Sequence, residues 1–458
     1  MKLSQLPAAL SPFGNFRRFR RNPLGVLEEL REQHGDIAPF RLFHMPGFLI
    51  SDPALVQEVL VTQNANFTKS LGLQRAKALL GKGLLTSEEP LHMRQRRLVQ
   101  PAFHRERLRG YGETMVSLAD EWLARWDDQW KTQPQGGGAV VDLHGEIVQL
   151  TLSIVSKALY NADVRTDAAS ISEVGSAVMR MFRLLTMPFA TAILKLPIGP
   201  SRRFHAAKDR LDRLIYGIIA ERRQSGSADY GDLLSMLLMA QDTESPGAER
   251  MTDEQVRDEI LTLFLAGHET TANALSWTWY LLATHPETEQ ALFEELDRVL
   301  PGGRAPTADD VESLRYAYAV LAESMRLFPP AWLIGRMSKA PFEMGGRSFP
   351  ASAIFFVSPW TMHHDPRFWG EAAEFVPERW LAPNPDRPKF AYFPFGGGPR
   401  VCIGERFAWM EGVLLLARIG QKWRFRLAPE ARIVPQPLIT LRLKYGLPVI
   451  PERRVQTA

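Results

Sequence analysis

The one cysteine of this chain, Cys402, lies in a glycine-rich segment that runs from residue 395 to residue 404. A lone cysteine cannot form an internal disulfide, a multi-cysteine zinc site or an iron–sulfur cluster. Arg400 stands two residues before it, and a helical pattern from Glu405 to Ala417 follows. Positive charge and a helix N-terminus both favour the thiolate, so we expect a lowered pKa for Cys402. The alternative is a small buried hydrophobic residue.

A second set of reactive side chains lies in the middle of a long helical pattern. A capping box at Thr252 predicts the start of this helix, and the pattern continues to about Thr284. Its centre contains Gly267, which costs roughly 1 kcal/mol relative to alanine in a helix. Glu269 and Thr270 follow, so an acid and a hydroxyl group lie in mid-helix. The alternative interpretation is a kinked core helix whose acid is satisfied by neighbours.

The elements that must position these residues are mostly helices. Apolar residues recur at helical spacing from about residue 53 to 335, which predicts a helix-rich chain. Near the start, residues 36–43 and 48–51 flank Met45-Pro46-Gly47, which predicts a hairpin with its turn there. Residues 335–358 and 423–450 alternate as short strands. No regular alternation of strands and helices occurs, so a doubly wound fold is not expected.

The cysteine segment resembles the haem-binding loop of the cytochromes P450, Phe-Gly-x-Gly-x-Arg-x-Cys-x-Gly, at every defined position. Residues 266–271 resemble the oxygen-activation motif of that family. Glu323-Ser-Met-Arg326 and residues 375–380 resemble its Glu-x-x-Arg and Pro-Glu-Arg-Phe motifs, with Trp380 in place of the usual phenylalanine. The four motifs occur in the family's order, and the resemblance covers most of the chain.

This resemblance implies a mainly α fold with small β-sheets. Residues 1–458 would form a single haem domain, a helix-rich triangular prism around a buried haem b. The haem would lie between the long helix and the cysteine loop, with Cys402 as the iron ligand, as in other thiolate-ligated haem proteins. Phe395, Gly396 and Gly404 would complete the loop around it.

The resemblance also implies roles for charged and polar residues. Four residues are candidates to bind the haem propionates, namely Arg400, Arg96, His92 and Arg336. Thr270 would hold the iron-bound dioxygen and Glu269 would help to relay protons, whereas His268 would be a bystander. Glu323, Arg326 and Arg379 would form a buried ion network behind the haem loop, in which removing one partner strands the others.

The substrate pocket is predicted from family position. Its walls would include residues 71–80 and 179–194, together with five single residues, Phe264, Ala266, Ala331, Trp332 and Leu333. These segments are largely apolar, although ordinary core packing would give the same pattern. We therefore expect an apolar substrate, for example a fatty acid or a terpenoid.

Composition narrows the classes of partner. The 458 residues include 55 Lys+Arg and 51 Asp+Glu, and no basic block is long enough to follow a nucleic acid. No stretch approaches the roughly 18–20 apolar residues of a membrane span, and the N-terminus has no signal-peptide core. We therefore expect a cytoplasmic monomer that binds no nucleic acid. The basic run at residues 16–21 is a solvated segment or a contact with an anionic membrane surface.

The sequence contains no recognisable flavin or iron–sulfur module, so we expect no fused reductase domain. Electrons would come from a separate ferredoxin or flavodoxin-type donor with its own reductase. The arginines that could dock an acidic donor are Arg94, Arg97, Arg105, Arg107 and Arg109. A purely solvated helix face is the alternative.

Together these expectations describe a haem-thiolate monooxygenase that inserts one atom of dioxygen into an apolar substrate by hydroxylation or epoxidation. One alternative is a peroxide-using enzyme on the same fold, a peroxygenase or a hydroperoxide-rearranging enzyme. Such enzymes generally lack the acid–threonine pair, so Glu269 and Thr270 argue against this alternative. The other is a non-catalytic haem sensor or ligand-binding protein.

Overall fold

The computed structural model describes residues 13–131, 139–161, 194–196, 198–224, 226, 230–242 and 250–454. The expected pocket segment 179–194 lies outside these ranges except for its last residue. Within them, the predicted mainly helical architecture with small sheets is confirmed.

The helices in the described ranges vary in length from 5 to 32 residues. In chain order they are α1 (Phe16–Arg21), α2 (Pro23–His34), α3 (Pro53–Gln57), α4 (Leu71–Leu80), α5 (Leu91–Val99), α6 (Arg105–Lys131), α7 (Leu143–Tyr160), α8 (Gly199–Gln224), α9 (Leu233–Met239), α10 (Asp253–Thr284), α11 (Pro286–Val299), α12 (Arg315–Leu327), α13 (Pro359–His363) and α14 (Glu405–Gly420).

The strands are short. They are β1 (Ile37–Leu42), β2 (Met45–Ile50), β3 (Phe67–Lys69), β4 (Val141–Asp142), β5 (Ile334–Ser338), β6 (Phe342–Met344), β7 (Arg347–Phe349), β8 (Ile354–Val357), β9 (Trp423–Leu427), β10 (Pro435–Pro437), β11 (Leu441–Leu443) and β12 (Pro448–Arg453). A five-stranded sheet has the order β1-β2-β8-β5-β3, and β4-β12-β9 form a three-stranded sheet. The larger sheet therefore pairs β2 with β8, which are just over 300 residues apart in sequence, and this brings distant side chains together.

The N-terminal hairpin forms, but its predicted turn is wrong. Met45-Pro46-Gly47 belongs to strand β2, and the chain reverses at Phe43, which has a φ of +54°. Gly47 is opposite Phe40 in the register, and a Cβ there would lie 2.2 Å from the Phe40 ring. The glycine is therefore required for packing of the ring across the strands and not for a turn.

Helix α10 begins where the sequence predicts. The Thr252 side chain accepts from the Gln255 backbone, and the Gln255 side chain accepts from Thr252, which completes the capping box. The N-terminal half of the helix packs into one hydrophobic cluster with α4, α5, α8 and α9. The C-terminal half packs into another with α6, α7, α12 and α14. The polar centre of α10 lies between these two clusters.

Two further features of the described residues bear on the site. No helix there combines the length and the apolar composition needed to cross a bilayer. No group of three or more His, Cys, Asp and Glu side chains there is arranged to hold a metal ion.

Candidate active site

The cysteine loop is a fixed turn that leads into α14. The Cys402 backbone N–H donates to the Phe395 carbonyl at 3.0 Å, and this bond closes the loop. Gly396 and Gly398 have φ values of +76° and +69°, in the left-handed region that favours glycine. A Cβ on Gly398 would also lie 2.0 Å from the Leu60 carbonyl oxygen. The glycines therefore set the path of the loop, and the loop sets the position of Cys402.

The protonation of Cys402 differs from the sequence expectation. Its side chain has accessible surface, yet it lies deep within the protein, and burial raises the pKa of the thiol to about 11. The Gly404 backbone N–H and Arg96 act to lower the pKa, while the Glu405 carboxylate adds to the rise. The expected lowered pKa is wrong for the protein alone, because burial outweighs both favourable neighbours. A cation at the sulfur, such as a metal ion, would reverse this balance.

Helix α5 places two of the predicted cofactor residues beside the loop. Arg96 donates from Nη1 to the Val401 carbonyl at 2.7 Å, directly before the cysteine. His92 is buried, and its Nδ1 lies 3.1 Å from Glu89. Burial and then Lys69 lower the pKa of His92 to about 4, so the imidazole is neutral near pH 7. His92 therefore offers a neutral hydrogen-bonding group and not a charge.

Three buried basic residues, Lys69, Arg336 and Arg400, form what we call the cation cluster. Lys69 and Arg336 are opposite one another in the β3–β5 register. Burial and the Arg400 charge lower the pKa of Lys69 to about 7 and that of Arg336 to about 10. Glu88 joins the group, because its Oε2 accepts from Arg400 Nη2 at 2.7 Å. Sequence reasoning missed Lys69 and Glu88, since only the pairing of distant strands brings them here.

Donors of the cation cluster remain without acceptors. Among the described residues, Arg400 Nε, Arg400 Nη1 and Arg336 Nε are buried and have no hydrogen-bond partner. Buried cations are costly unless opposite charges and acceptors compensate them, and Glu88 is one carboxylate beside three basic groups. A ligand that brings further carboxylates would compensate both deficits. Haem carries two propionates, so the residues present fit a haem whose propionates lie against this cluster.

The centre of α10 and the cysteine loop share a hydrophobic cluster. Phe264 of the helix and Ile403 of the loop both pack against it. Ala266 is exposed although most of the helix is buried. The Thr270 hydroxyl donates to the Ala266 carbonyl at 2.8 Å. Gly267 is required by packing, since a Cβ would lie 3.0 Å from Val155 of α7. The structure therefore places Ala266 and Thr270 on accessible surface at the middle of the helix.

Glu269 is buried and held from outside its own helix. Its Oε1 accepts from the Thr440 hydroxyl at 2.8 Å and lies 3.3 Å from Arg442 Nε. Neither partner was predicted from the sequence. His268, the predicted bystander, uses Nδ1 to contact the Phe264 carbonyl at 2.8 Å within the helix. Burial lowers the pKa of His268.

The glutamate–arginine network (Glu323, Arg326 and Arg379) lies together in the core. Arg326 makes two bonds to Glu323, at 2.8 and 2.9 Å, and its side chain is fully buried. Its remaining donors reach the carbonyls of His363, Ala372 and Glu374. Arg379 and the Trp380 indole also donate to Glu323, at 3.0 and 2.8 Å. The departure from the family's phenylalanine thus adds a hydrogen bond.

A buried acid on α14 was also missed. Glu411 is fully buried, and neither of its carboxyl oxygens has a hydrogen-bond partner within the described ranges. Burial raises its pKa to about 8, while the nearby Thr271 hydroxyl opposes the rise. No motif spacing in the sequence marks this residue, because its burial depends on the packing of α14 against α10.

The predicted pocket residues divide into two groups. Ala331 and Leu333 are partly exposed, as are several positions on α4. Trp332 is buried within a cluster that includes Phe40 of β1 and Phe356 of β8, and its indole donates to the Leu438 carbonyl at 3.0 Å. The ring of Trp332 therefore fills the core beside the sheet, and its place in the pocket wall stays a prediction.

The arginines expected to dock an electron donor are mostly paired. Arg94 and Arg97 both contact Asp242, at 3.1 and 3.4 Å, and Asp242 is buried. Arg109 pairs with Asp309 at 2.7 Å. Arg105 is exposed at the start of α6. Arg94 and Arg97 therefore pair with a buried carboxylate, a structural role that the sequence did not indicate.

Comparison with known proteins agrees with this site. The family model described as Cytochrome P450 matches residues 5–446. The chain is 39% identical over 453 residues to cyclooctatin synthase of Streptomyces melanosporofaciens, covering 98% of this chain and 95% of that protein. Cyclooctat-9-en-7-ol 5-monooxygenase of the same organism is 34% identical, with 92% and 89% covered.

A third relative, pentalenene oxygenase of Streptomyces avermitilis, is 31% identical over 441 residues, with 95% of this chain and 94% of that protein covered. Matches of this length include the cysteine loop, the polar centre of α10 and the glutamate–arginine network alike. The chain belongs to the cytochrome P450 family, and it is a haem-dependent monooxygenase.

Proposed function

We propose that this enzyme oxidises an apolar substrate of the terpenoid class. The observation that carries the proposal is the similarity along almost the whole chain to cyclooctatin synthase and pentalenene oxygenase. The apolar residues of α10 that precede its polar centre, Leu263, Phe264 and Leu265, support it. A hydrocarbon binds such surroundings by burial, without polar groups to orient it.

The overall reaction would join one oxygen atom to the substrate. Substrate, dioxygen, two electrons and two protons give the oxygenated product and water. Haem, when bound, supplies the activation of dioxygen. Cys402 would hold its iron, Arg400 and Arg336 would hold its propionates, and Arg96 would fix the loop through Val401. His92 would add a neutral hydrogen bond.

Thr270 and Glu269 would manage the protons. The Thr270 hydroxyl donates to the Ala266 carbonyl, and a side-chain rotation would free its proton for donation on the accessible side of the helix. Glu269 is adjacent in sequence and buried, so it can carry a proton without admitting bulk water. Electrons would come from a separate ferredoxin or flavodoxin-type protein.

The proposal is tested with the haem-loaded enzyme, a surrogate ferredoxin and its reductase. Terpene hydrocarbons and alcohols, with fatty acids as the comparison set, are screened for substrate-induced shifts of the haem spectrum. Binding compounds are then incubated under isotopically labelled dioxygen. We expect a product that carries one labelled oxygen atom from a terpenoid, and binding of fatty acids alone would contradict the substrate class.

The same assay separates the alternatives. Turnover driven by peroxide, with no incorporation from dioxygen, would identify a peroxide-using enzyme. Spectral shifts without product for any ligand would favour a sensor. Thr270→Ala is expected to retain binding but to form less product for each NADPH consumed. Thr270→Ser, which keeps the hydroxyl, is the matched control.

A further inference from the structure

The acid of the proton pathway is attached to a hairpin near the C-terminus. Strands β10 and β11 form this hairpin, residues 435–443, and we call it the C-terminal hairpin. Thr440 and Arg442 both contact Glu269 Oε1, at 2.8 and 3.3 Å. None of these hairpin residues belongs to a motif seen in the sequence, so nothing in the chain's pattern assigns them a role.

The hairpin is docked along one face of α10. Asn273 donates to the Thr440 hydroxyl at 3.2 Å, and the Trp277 indole donates to the Leu441 carbonyl at 3.0 Å. Residues 269, 273 and 277 are four apart, so they lie on three successive turns of one helical face. Glu269 is therefore the last contact of a row that fixes the hairpin to the helix.

The other side of the hairpin contacts the segment that precedes β5. The Leu441 N–H donates to the Pro330 carbonyl at 2.9 Å, and the Leu438 carbonyl accepts from Trp332. This segment continues into Ala331 and Leu333, the partly exposed candidates for the pocket wall. The hairpin thus lies between the pocket wall and the acid, and holds both.

The burial of Glu269 explains why it needs Thr440 and Arg442 as partners. A buried carboxylate is costly unless a cation or donors stabilise it. The other titratable groups near Arg442 are His268 on α10, His144 on α7 and Asp142. Burial lowers the pKa of His144 to about 4 and also lowers that of His268, so neither imidazole is charged near pH 7. Within the described ranges, Arg442 is the cation in contact with Glu269, and it is 31% exposed.

We propose that Thr440 and Arg442 are positioning residues for Glu269. They hold its carboxyl group in one orientation through Oε1, and Arg442 connects it to the solvent side. Glu269 takes each proton from water on the Arg442 side and passes it toward Thr270. The inference rests on the proton role of Glu269 in the proposed function, and it adds the hairpin to the residues that determine how efficiently electrons yield product.

The test uses the haem-loaded enzyme with Arg442→Met and Thr440→Val, and with Arg442→Lys and Thr440→Ser as conservative rescues. Arg432→Met removes an exposed arginine just before the hairpin, and is the matched control. Infrared difference spectra measure the frequency of the Glu269 carboxyl band, which depends on its hydrogen bonds, with Glu269→Gln assigning the band. Product formed per NADPH is measured for the same variants.

We expect Arg442→Met and Thr440→Val to shift the Glu269 carboxyl band and to lower coupling about three- to tenfold. The spectral shift on substrate binding should not change, and the rescues should restore coupling. An unchanged carboxyl band, or equal effects in Arg432→Met, would overturn the inference. Glu269→Gln with unaltered coupling would instead refute the proton role in the proposed function, while the infrared result would still decide the contacts.

Discussion

The glutamate–arginine network and the cation cluster both bury charges from distant parts of the chain, but only one is complete. Arg326 satisfies its donors with Glu323 and three backbone carbonyls. Arg400 and Arg336, in contrast, retain buried nitrogen atoms without acceptors among the described residues. Removing one partner from the complete network should destabilise the fold, whereas the incomplete cluster leaves donors that a bound ligand can satisfy.

The difference teaches how to recognise a ligand site within a buried polar region. Proteins rarely leave buried donors without partners, so the deficit indicates where a partner is supplied from outside the chain. It also separates the glutamate–arginine network from the cation cluster, which look alike in sequence because each combines arginines with a glutamate. Substitution in the first should change fold stability, and substitution in the second should change haem binding.

Breaking the complete network should have the largest effect. Arg326→Leu strands the Glu323 carboxylate in the core, and we expect the free energy of unfolding to fall by about 3–5 kcal/mol. Arg379→Gln removes a partner that is 13% exposed, and should cost less. Urea unfolding of the haem-loaded enzyme measures both, with the exposed Arg347→Gln as the control. Equal stability of Arg326→Leu and the control would show that the network is not structural.

Breaking the incomplete cluster should affect haem and not the fold. Arg336→Met removes a buried charge whose Nε has no acceptor among the described residues, so the unfolding free energy of the haem-free protein should change by less than about 1 kcal/mol. Haem should be lost about 10–100-fold faster to an excess of an apoprotein acceptor, as expected for one charge-assisted hydrogen bond. A fall in the free energy of unfolding without faster haem loss would show that Arg336 stabilises the fold and does not hold haem.

The protonation of Lys69 gives a pH-dependent test of whether haem propionates bind the cation cluster. Its pKa of about 7 lies below the 10.5 of an unfolded chain, so the haem-free fold gains stability as pH rises from about 7 to 10.5. Bound propionates should raise this pKa again, so haem binding would take up a proton in that range. Thiolate ligation by Cys402 releases one, since its pKa is about 11.

Haem affinity of the wild type should therefore depend little on pH between about 7 and 10, because uptake and release offset each other. Lys69→Met removes the uptake, so its affinity should rise with pH with a slope of about one proton. Haem titrations at several pH values measure the slopes. Parallel slopes for the two proteins would mean that the propionates do not act on Lys69.

Electron transfer should show the smallest effect. Reversal of Arg94 or Arg97 would place a carboxylate against buried Asp242, so these arginines are poor probes of docking. Arg105→Glu and Arg406→Glu alter exposed charges near the cysteine loop, and should slow the first electron transfer a few-fold at low ionic strength. Arg347→Glu is the control of equal charge, and equal slowing by it would exclude a docking role.

The sequence predicts local features well and long-range contacts poorly. The capping box at Thr252 and the positions of the glycines around Cys402 are local, and the structure has both. The proximity of Lys69 to Arg336 depends on a strand pairing across more than 260 residues. The burial that raises the pKa of Cys402 likewise comes from the whole fold, so a local argument gave the wrong direction.

The same limit applies to the surroundings of Trp332 and Glu269. The core around the Trp332 ring comes from α2 and from strands that are distant in sequence, so its neighbours could not be predicted locally. The partners of Glu269 come from a hairpin about 170 residues later, and no spacing in the sequence could have indicated them.

The most direct test of the account is the spectrum of the reduced carbon monoxide complex of Cys402→Ser. The incomplete cation cluster and the single thiol together indicate one haem, anchored by its propionates and ligated by Cys402. We predict that Cys402→Ser still binds haem through the cluster, but loses the red-shifted Soret band of thiolate ligation. An unchanged band in Cys402→Ser would contradict the assignment of Cys402 as the ligand, and with it the central claim.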